Sequence, residues 1–189
     1  MAQLIMVSNR VAVPSRDDAD YAGGLAVAVR SLLKRNSGIW FGGSGTVAVD
    51  GKVTTRTIRQ GGLSYVVTDL AASDYQEYYS GFANRVLWPI LHYRLDLAEF
   101  SRRDLSGYRR VNVHFANQIA DWLHPDDVIW VHNYHLIPLA KMLRDRGHRK
   151  PYRILPARPI SPTGDTHGAA QPRMAYPAAG RIRPGRLSD

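Results

Sequence analysis

The stretch LIMVSNR at residues 4–10, together with the glycine pair Gly23-Gly24 that follows it, decides the fold we expect. The apolar run predicts a buried strand, and the segment at 25–34 has the pattern of a helix. Glycines let a ligand approach the backbone closely, and the N–H groups of a helix N-terminus favour phosphate. This part of the chain therefore predicts an anion site, to which Arg10 adds a forked cationic donor. The same glycines equally fit a tight strand-to-helix turn that binds nothing.

The rest of the body continues this alternation of strands and helices. The apolar run at 128–131 suits a strand buried on both faces of a parallel sheet. We therefore predict a doubly wound α/β domain, with its ligands at the carboxyl ends of the strands. The remaining predicted strands are 39–42, 52–59 and 64–68, with hairpins at the glycine-rich joints between them. The remaining predicted helices are 75–82, 84–91 (interrupted by Pro89), 108–123 and 136–145.

Composition excludes several classes of protein. The chain has no cysteine, which excludes disulfide scaffolds and thiolate metal sites and fits a reducing cytoplasm. No apolar run approaches the length of a membrane span, and the N-terminus does not resemble a secretory signal. We therefore expect a cytoplasmic protein without a membrane partner.

Residues 151–189 differ in character from residues 1–150. They hold seven of the eleven prolines, and six arginines against two aspartates, with no helical or strand periodicity. This composition predicts a disordered basic tail. Nearly half of the net charge of +9 lies there, and the body shows no basic helix face. Nucleic-acid binding through the tail is thus a minor alternative, and we expect no nucleic-acid partner.

Side chains capable of chemistry gather in two further places. Tyrosines and a tryptophan crowd the stretch 78–94, where helical spacing favours core packing over ligand contact. The run His132-Asn133-Tyr134-His135 directly follows a predicted strand, where α/β sheets place ligand groups. Its two histidines lack an adjacent carboxylate, which favours a structural or polar-network role over a metal site.

Taken in order, the motifs of the chain carry a family resemblance. The segments LIMVSNR, AGGLAVAV, WFGGSG, EYYSGFANRVLWPILHYR, GYRRVN and IWVHNYHLIPLAKMLR resemble the trehalose-6-phosphate synthase family. The resemblance implies a retaining glycosyltransferase of the GT-B type, in which two Rossmann-like domains face a cleft. Residues 1–150 are then an incomplete N-terminal, acceptor-side domain. The implied reaction moves glucose from UDP-glucose to glucose 6-phosphate, giving α,α-trehalose 6-phosphate, without a metal or other cofactor. A full-length member can form a homo-oligomer.

The resemblance also implies site residues. Arg10, Tyr79, Trp88 and Asn133 match positions that bind the acceptor, glucose 6-phosphate, with Arg10 holding either the acceptor phosphate or the loop geometry. Gly23 and Gly24 match positions on the diphosphate side of the donor, UDP-glucose. No catalytic residue is assigned, because orientation and stabilisation of the leaving diphosphate account for the chemistry.

One acceptor position departs from the family pattern. The family has aspartate where this chain has Asn133. An aspartate carboxylate accepts hydrogen bonds from acceptor hydroxyls, whereas one of the two side-chain polar groups of asparagine is an NH₂ that only donates. We therefore predict weakened acceptor binding.

The chain departs from the family again at about Pro151. Codons that encode 151–170, read one base later, can encode RIGFFLHVPFP and RREILTALP, and those for 180–189 can encode GEYDLVGFQ, all of which resemble the family. We therefore interpret 151–189 as a frameshift product. On this hypothesis the sheet lacks its next strand, the donor domain is missing and the chain has no synthase activity. The alternatives are a non-catalytic sugar-phosphate-binding or regulatory module and a two-domain glycosyltransferase with another acceptor.

Overall fold

The computed structural model describes residues 3–13, 38–48 and 52–148, and the backbone of 152–155. All of them belong to one unit, Met1–Pro159, and the second unit, Ile160–Asp189, lies outside the described residues. Gly23, Gly24 and the helix expected at 25–34 also lie outside them. The strands are β1 (Leu4–Arg10), β2 (Ile39–Val47), β3 (Thr55–Gln60), β4 (Leu63–Leu70), β5 (Val128–His132) and β6 (Tyr152–Leu155).

The six strands form one sheet in the order β3-β4-β2-β1-β5-β6. Only β3 runs antiparallel to its neighbour within this sheet; every other pair is parallel. The chain moves outward from β1 to β2 and β4, then returns to place β5 on the other side of β1. This reversal is the hallmark of a doubly wound sheet and confirms the predicted α/β class.

The central strand β1 is buried on both faces. Ile5 and Val7 pack into the larger core cluster, together with Phe41 of β2 and the helices. Met6, which points to the opposite face, packs with Trp40 and other apolar side chains of the neighbouring strands. Burial on both faces explains why the β1 sequence is an unbroken apolar run rather than an alternating one.

The hairpin expected at the glycines forms between β3 and β4. Gly61 and Gly62 make its two-residue turn, with φ of +59° and +80°. Positive φ at both positions is what a type I′ turn requires, and glycine adopts it without steric cost. The glycines at 42–45 make no hairpin, because β2 pairs in parallel with β4.

A continuous helical segment spans 72–91. It comprises α1 (Ala72–Tyr75), a π-helical stretch (Gln76–Leu87) and α2 (Trp88–Leu91). The break expected at Pro89 is wrong, because Leu87 and Trp88 keep helical backbone angles and the helical segment continues through this proline to Leu91. Among the described residues, no helix is long and apolar enough to cross a membrane.

The next helix, α3 (Arg102–Ala120), begins six residues before the predicted start at 108. The hydroxyl of Ser101 caps it by accepting a hydrogen bond from the N–H of Asp104 at 3.4 Å. Val111, Phe115 and Ile119, which recur at helical spacing, are all buried, whereas Leu123, the expected last residue of this helix, lies beyond its end at Ala120. A 3₁₀ turn (Tyr134–Leu136) then precedes α4 (Leu139–Asp145), so the last α-helix starts later than the expected residue 136.

The segment 72–91 and α3 approach closely because each places a glycine against a carboxylate of the other. A Cβ on Gly81 would lie 2.5 Å from Cγ of Asp104, and one on Gly107 would overlap Glu77. Both carboxylates are buried and both are paired with arginines at the rim. The polar first turns of α3 are therefore part of its interface with the segment 72–91. The spacing of apolar residues does not indicate this contact.

Acid should destabilise this helix interface. Hydrogen bonds from Arg103 and Arg110 lower the pKa of Glu77 below its ordinary value of 4.5. A lowered folded-state pKa stabilises the fold above the unfolded-state pKa, and this contribution is lost as the pH falls through the folded-state value. The free energy of unfolding, measured with urea, should fall less between about pH 7 and about pH 3 in Glu77→Gln than in the parent chain. Asp145→Asn, which removes an exposed pair with Lys141, is the control.

The expectation that the sheet has no strand after Lys150 is wrong. Tyr152–Leu155 form β6, which pairs in parallel with β5 from Ile129↔Tyr152 to His132↔Leu155. Ladder hydrogen bonds use backbone groups, so a short segment rich in β-formers can complete the edge of β5 whatever frame encoded it. The disorder predicted for 151–189 is therefore corrected for these four residues; the tail beyond them lies outside the described residues.

Candidate functional site

The carboxyl ends of β1 and β5 lie side by side where the strand order reverses. Ser8 of β1 is in register with His132 of β5, and Arg10 is in register with Gly43 of β2. In open α/β sheets this switch point is the crevice where ligands bind. The residues that end these strands are therefore the first candidates for a site.

Arg10 lies against the loop-like end of β2. A Cβ on Gly45 would come within 2.5 Å of Nε and 2.7 Å of Cζ of Arg10, so the guanidinium occupies the space that a side chain would fill. Gly45 has a φ of +83°, which also favours glycine. Arg10 itself is exposed and carries a fixed positive charge at the crevice.

Aromatic side chains from the segment 72–91 meet the residues that follow β5. The ring of Tyr79 stacks on His135 at 5.3 Å between centroids, with 9° between the planes. His135 stacks on Tyr134 at 4.1 Å, and Tyr134 contacts Trp88 at 5.8 Å. This row places Tyr79 and Trp88, which are far from β5 in sequence, beside its carboxyl end.

Some of the aromatic residues in the stretch 78–94 belong to the core, and others belong to the candidate site. Tyr78 is fully buried in the larger core cluster, and its hydroxyl donates to Oδ1 of Asn9 at 2.9 Å. The next residue, Tyr79, is only partly buried and belongs to the row. Adjacent tyrosines therefore have different surroundings, and helical spacing alone did not distinguish them.

Asn133 occupies an unusual backbone conformation directly after β5. Its φ of +82° and ψ of 154° lie in a region that residues other than glycine rarely adopt. Its Oδ1 accepts a hydrogen bond from the N–H of Tyr134 at 2.7 Å and caps the 3₁₀ turn. Strain of this kind concentrates at ligand sites, where the surrounding structure maintains it.

The two histidines beside Asn133 are neutral near pH 7. Burial lowers the pKa of His135 to about 3, with a further contribution from His132, and burial also lowers the pKa of His132. Neither ring nitrogen of His135 has a hydrogen-bond partner within the described part of the chain. Across those same residues, no three histidine, aspartate or glutamate side chains are arranged to hold a metal.

Sequence reasoning missed the residues that support this site. Asn9 and Asn84 accept hydrogen bonds from the hydroxyls of Tyr78 and Tyr134. Asp69 accepts a hydrogen bond from Ser44 in the end of β2. The position of Asn9 at the end of β1 was a usable signal. The other contacts join residues that are far apart in sequence, and no motif marks them.

The crevice therefore brings together some of the predicted site residues. Tyr79, Trp88 and Asn133 are joined through Tyr134 and His135, while Arg10 ends the adjacent strand β1. Gly23 and Gly24 lie outside the described residues. The roles assigned to all six residues stay predictions.

Comparisons with known proteins show the family to which the chain belongs. The sequence profile of glycosyltransferase family 20 matches residues 3–154. A trehalose-6-phosphate synthase of Sinorhizobium fredii is 52% identical over 149 residues, which cover 78% of this chain and 32% of that protein. The chain thus spans about a third of the length of the curated relatives it matches.

Solved structures give the same result. An α,α-trehalose-phosphate synthase (UDP-forming) from Burkholderia xenovorans, in complex with glucose-6-phosphate, is 45% identical with a TM-score of 0.73. The match covers 81% of this chain and 33% of that one. An E. coli structure bound with UDP-2-fluoro glucose is 40% identical, with a TM-score of 0.73, and the match covers 81% of this chain and 32% of that one.

Proposed function

Because this chain belongs to glycosyltransferase family 20, we propose that its described part is the acceptor side of a trehalose-6-phosphate synthase. The reaction would move glucose from UDP-glucose to glucose 6-phosphate. The observation that carries the proposal is the meeting of Tyr79, Trp88 and Asn133 beside the strand end that bears Arg10. This crevice combines a cation, aromatic rings and an amide, which are the groups that a sugar phosphate requires.

Each residue has a distinct proposed role. Arg10 supplies paired N–H donors to the phosphate of glucose 6-phosphate, and the Tyr79 hydroxyl adds a further hydrogen bond. Trp88 offers an apolar ring to the sugar, and Asn133 contacts a sugar hydroxyl. Tyr79, Trp88 and Asn133 are held by contacts with Tyr134 and His135, so the acceptor would be oriented when it binds, which is how such a site contributes to rate.

The donor side of the reaction involves residues other than these. We propose that Gly23 and Gly24 bring backbone N–H groups to the diphosphate of UDP-glucose. Stabilisation of the leaving diphosphate would then supply the chemistry, with no nucleophile from residues 1–150. The proposal requires neither a metal nor another cofactor.

Binding and transfer can be tested separately in this chain. The matched residues correspond to about a third of the relatives, so we expect the 189-residue chain to bind glucose 6-phosphate without transferring glucose to it. Its behaviour alone would then be that of a sugar-phosphate-binding module. Calorimetric titration with glucose 6-phosphate should give saturable binding, and a coupled assay should detect no UDP release. UDP release that depends on glucose 6-phosphate would contradict the second expectation, and absence of binding would contradict the first.

Replacing Asn133 by aspartate should strengthen acceptor binding. Oδ1 of Asn133 is engaged with Tyr134, so its remaining polar group is an NH₂ that only donates. Aspartate keeps the cap and tolerates the positive φ, and it offers a second oxygen to a sugar hydroxyl. We expect about a tenfold lower Kd for glucose 6-phosphate, which is about 1.4 kcal/mol. Calorimetry on Asn133→Asp and the parent chain measures this, and equal affinities would refute it.

A further inference from the structure

A hydrogen-bonded network anchors the loop-like end of β2, residues 44–46, which we call the loop. Asp69, at the end of β4, is only 6% exposed. One of its carboxylate oxygens accepts a hydrogen bond from the hydroxyl of Ser44 at 2.6 Å, and the other accepts from Thr54 at 2.6 Å. Arg56 approaches the same carboxylate at 3.4 Å. The network thus joins the end of β4, the entrance to β3 and the end of β2.

Ser44 transmits this anchoring to both sides of Gly45. Its hydroxyl donates to Asp69 and accepts a hydrogen bond from the N–H of Thr46 at 2.9 Å. Gly45 lies between the two tied residues, and the Arg10 guanidinium lies against its backbone. The position of this backbone therefore limits where the guanidinium can lie.

The charge of Asp69 suits this role. Burial opposes its ionisation, but the hydroxyl donors Ser44 and Thr54 and the Arg56 guanidinium outweigh that effect, so the pKa of Asp69 is lowered. An ionised carboxylate accepts stronger hydrogen bonds than a neutral acid. The loop is therefore anchored firmly across the neutral pH range.

We propose that Asp69, acting through Ser44, positions the Gly45 backbone against Arg10 and so sets the affinity of the site for a phosphate monoester. The proposal rests on the anion-binding role proposed for Arg10. Asp69 is a positioning residue here, because its contacts are with the loop and not with a ligand. Gly45 has a matching role, since any side chain would displace the guanidinium.

The test uses Ser44→Ala and Gly45→Ala in the whole 189-residue chain, with glucose 6-phosphate and inorganic phosphate as probes. Both variants should shift the NMR signal of the Arg10 Nε–H group and raise the Kd for both probes several-fold. Neither Ser44→Ala nor Gly45→Ala should raise the Kd further in the Arg10→Ala background, because the effects of substitutions at coupled residues are not additive. Thr55→Ala is the control, since its hydroxyl contacts Thr68 across the hairpin.

The outcomes separate this inference from the proposed function. An unchanged Arg10 Nε–H signal in both variants would overturn the positioning role, as would a loss of affinity that persists in the Arg10→Ala background. If the parent chain binds neither probe but the signal still moves, positioning is supported and the anion-binding role of Arg10 fails. Asp69→Asn, followed by thermal unfolding to confirm that it folds, provides a third variant with the same expected signal shift.

Discussion

Gly42→Ala should prevent the chain from folding stably. A Cβ at this position would overlap the carbonyl oxygen of Ser8 and would approach Cγ2 of Val11 at 3.1 Å. The oxygen belongs to the backbone of β1, so no side-chain rotation can relieve the overlap. The two strands would have to separate at the centre of the sheet, where β2 and β1 are paired through Ser8↔Gly42. We expect the free energy of unfolding to fall by at least about 4 kcal/mol, which few single substitutions reach.

Urea unfolding followed by circular dichroism measures this loss. The matched control is Gly147→Ala, since no atom lies within 4 Å of a Cβ there although φ is +92°. The free energy of unfolding of the control should fall by only about 1–2 kcal/mol, which is the cost of placing a residue with a Cβ in a left-handed conformation. Equal stability of the two variants would contradict the close approach of β1 and β2.

Phe115→Ala should lower the free energy of unfolding by about 3–5 kcal/mol. Phe115 is fully buried on α3 and meets Phe41 of β2 edge-to-face, with 5.4 Å between ring centroids. It also lies 6.4 Å from the ring of Tyr78, so it joins the sheet, α3 and the segment 72–91. Truncation would leave a cavity that three elements must close together.

The same unfolding experiment tests this prediction against a neighbour on the same helix. Val113 is 38% exposed, and Val113→Ala should change the free energy of unfolding by less than about 1 kcal/mol. If Phe115→Ala were no more costly than Val113→Ala, the packing of α3 on the sheet would be incorrect.

Much of the fold follows from apolar patterning. The apolar run in β1 indicates a parallel strand, because burial on both faces favours apolar residues throughout. The run in β5 indicates the same, but only Ile129 and Val131 are buried there and Val128 is 40% exposed, so the expected burial of β5 on both faces is wrong. The spacing of Val111, Phe115 and Ile119 indicates a helix face. The start of α3 could not be predicted this way, because its first turns pack through Gly107 and a buried carboxylate, Asp104, that pairs with a half-exposed arginine. The strand β6 was missed because backbone pairing depends little on side-chain pattern.

The candidate site was predictable only where local rules apply. Arg10 ends β1 and Asn133 directly follows the adjacent strand β5, and the rule for ligand sites in α/β sheets identifies such positions. Tyr79 and Trp88 were identified through family motifs, and their place beside β5 needed the fold. The support from Asp69 comes from a hydrogen bond between its carboxylate and the hydroxyl of Ser44, 25 residues away in sequence, which no periodicity or motif indicates.

The central claim is that glucose 6-phosphate binds at the carboxyl ends of β1 and β5. Backbone amide NMR during titration of the 189-residue chain tests it most directly. We predict saturable shifts confined to Asn9, Arg10, Gly43–Gly45, Tyr79, Trp88 and 133–135, which disappear in Arg10→Ala and persist in Arg94→Ala. No shifts, or shifts spread over the arginines of 151–189 and abolished by moderate salt, would contradict the claim.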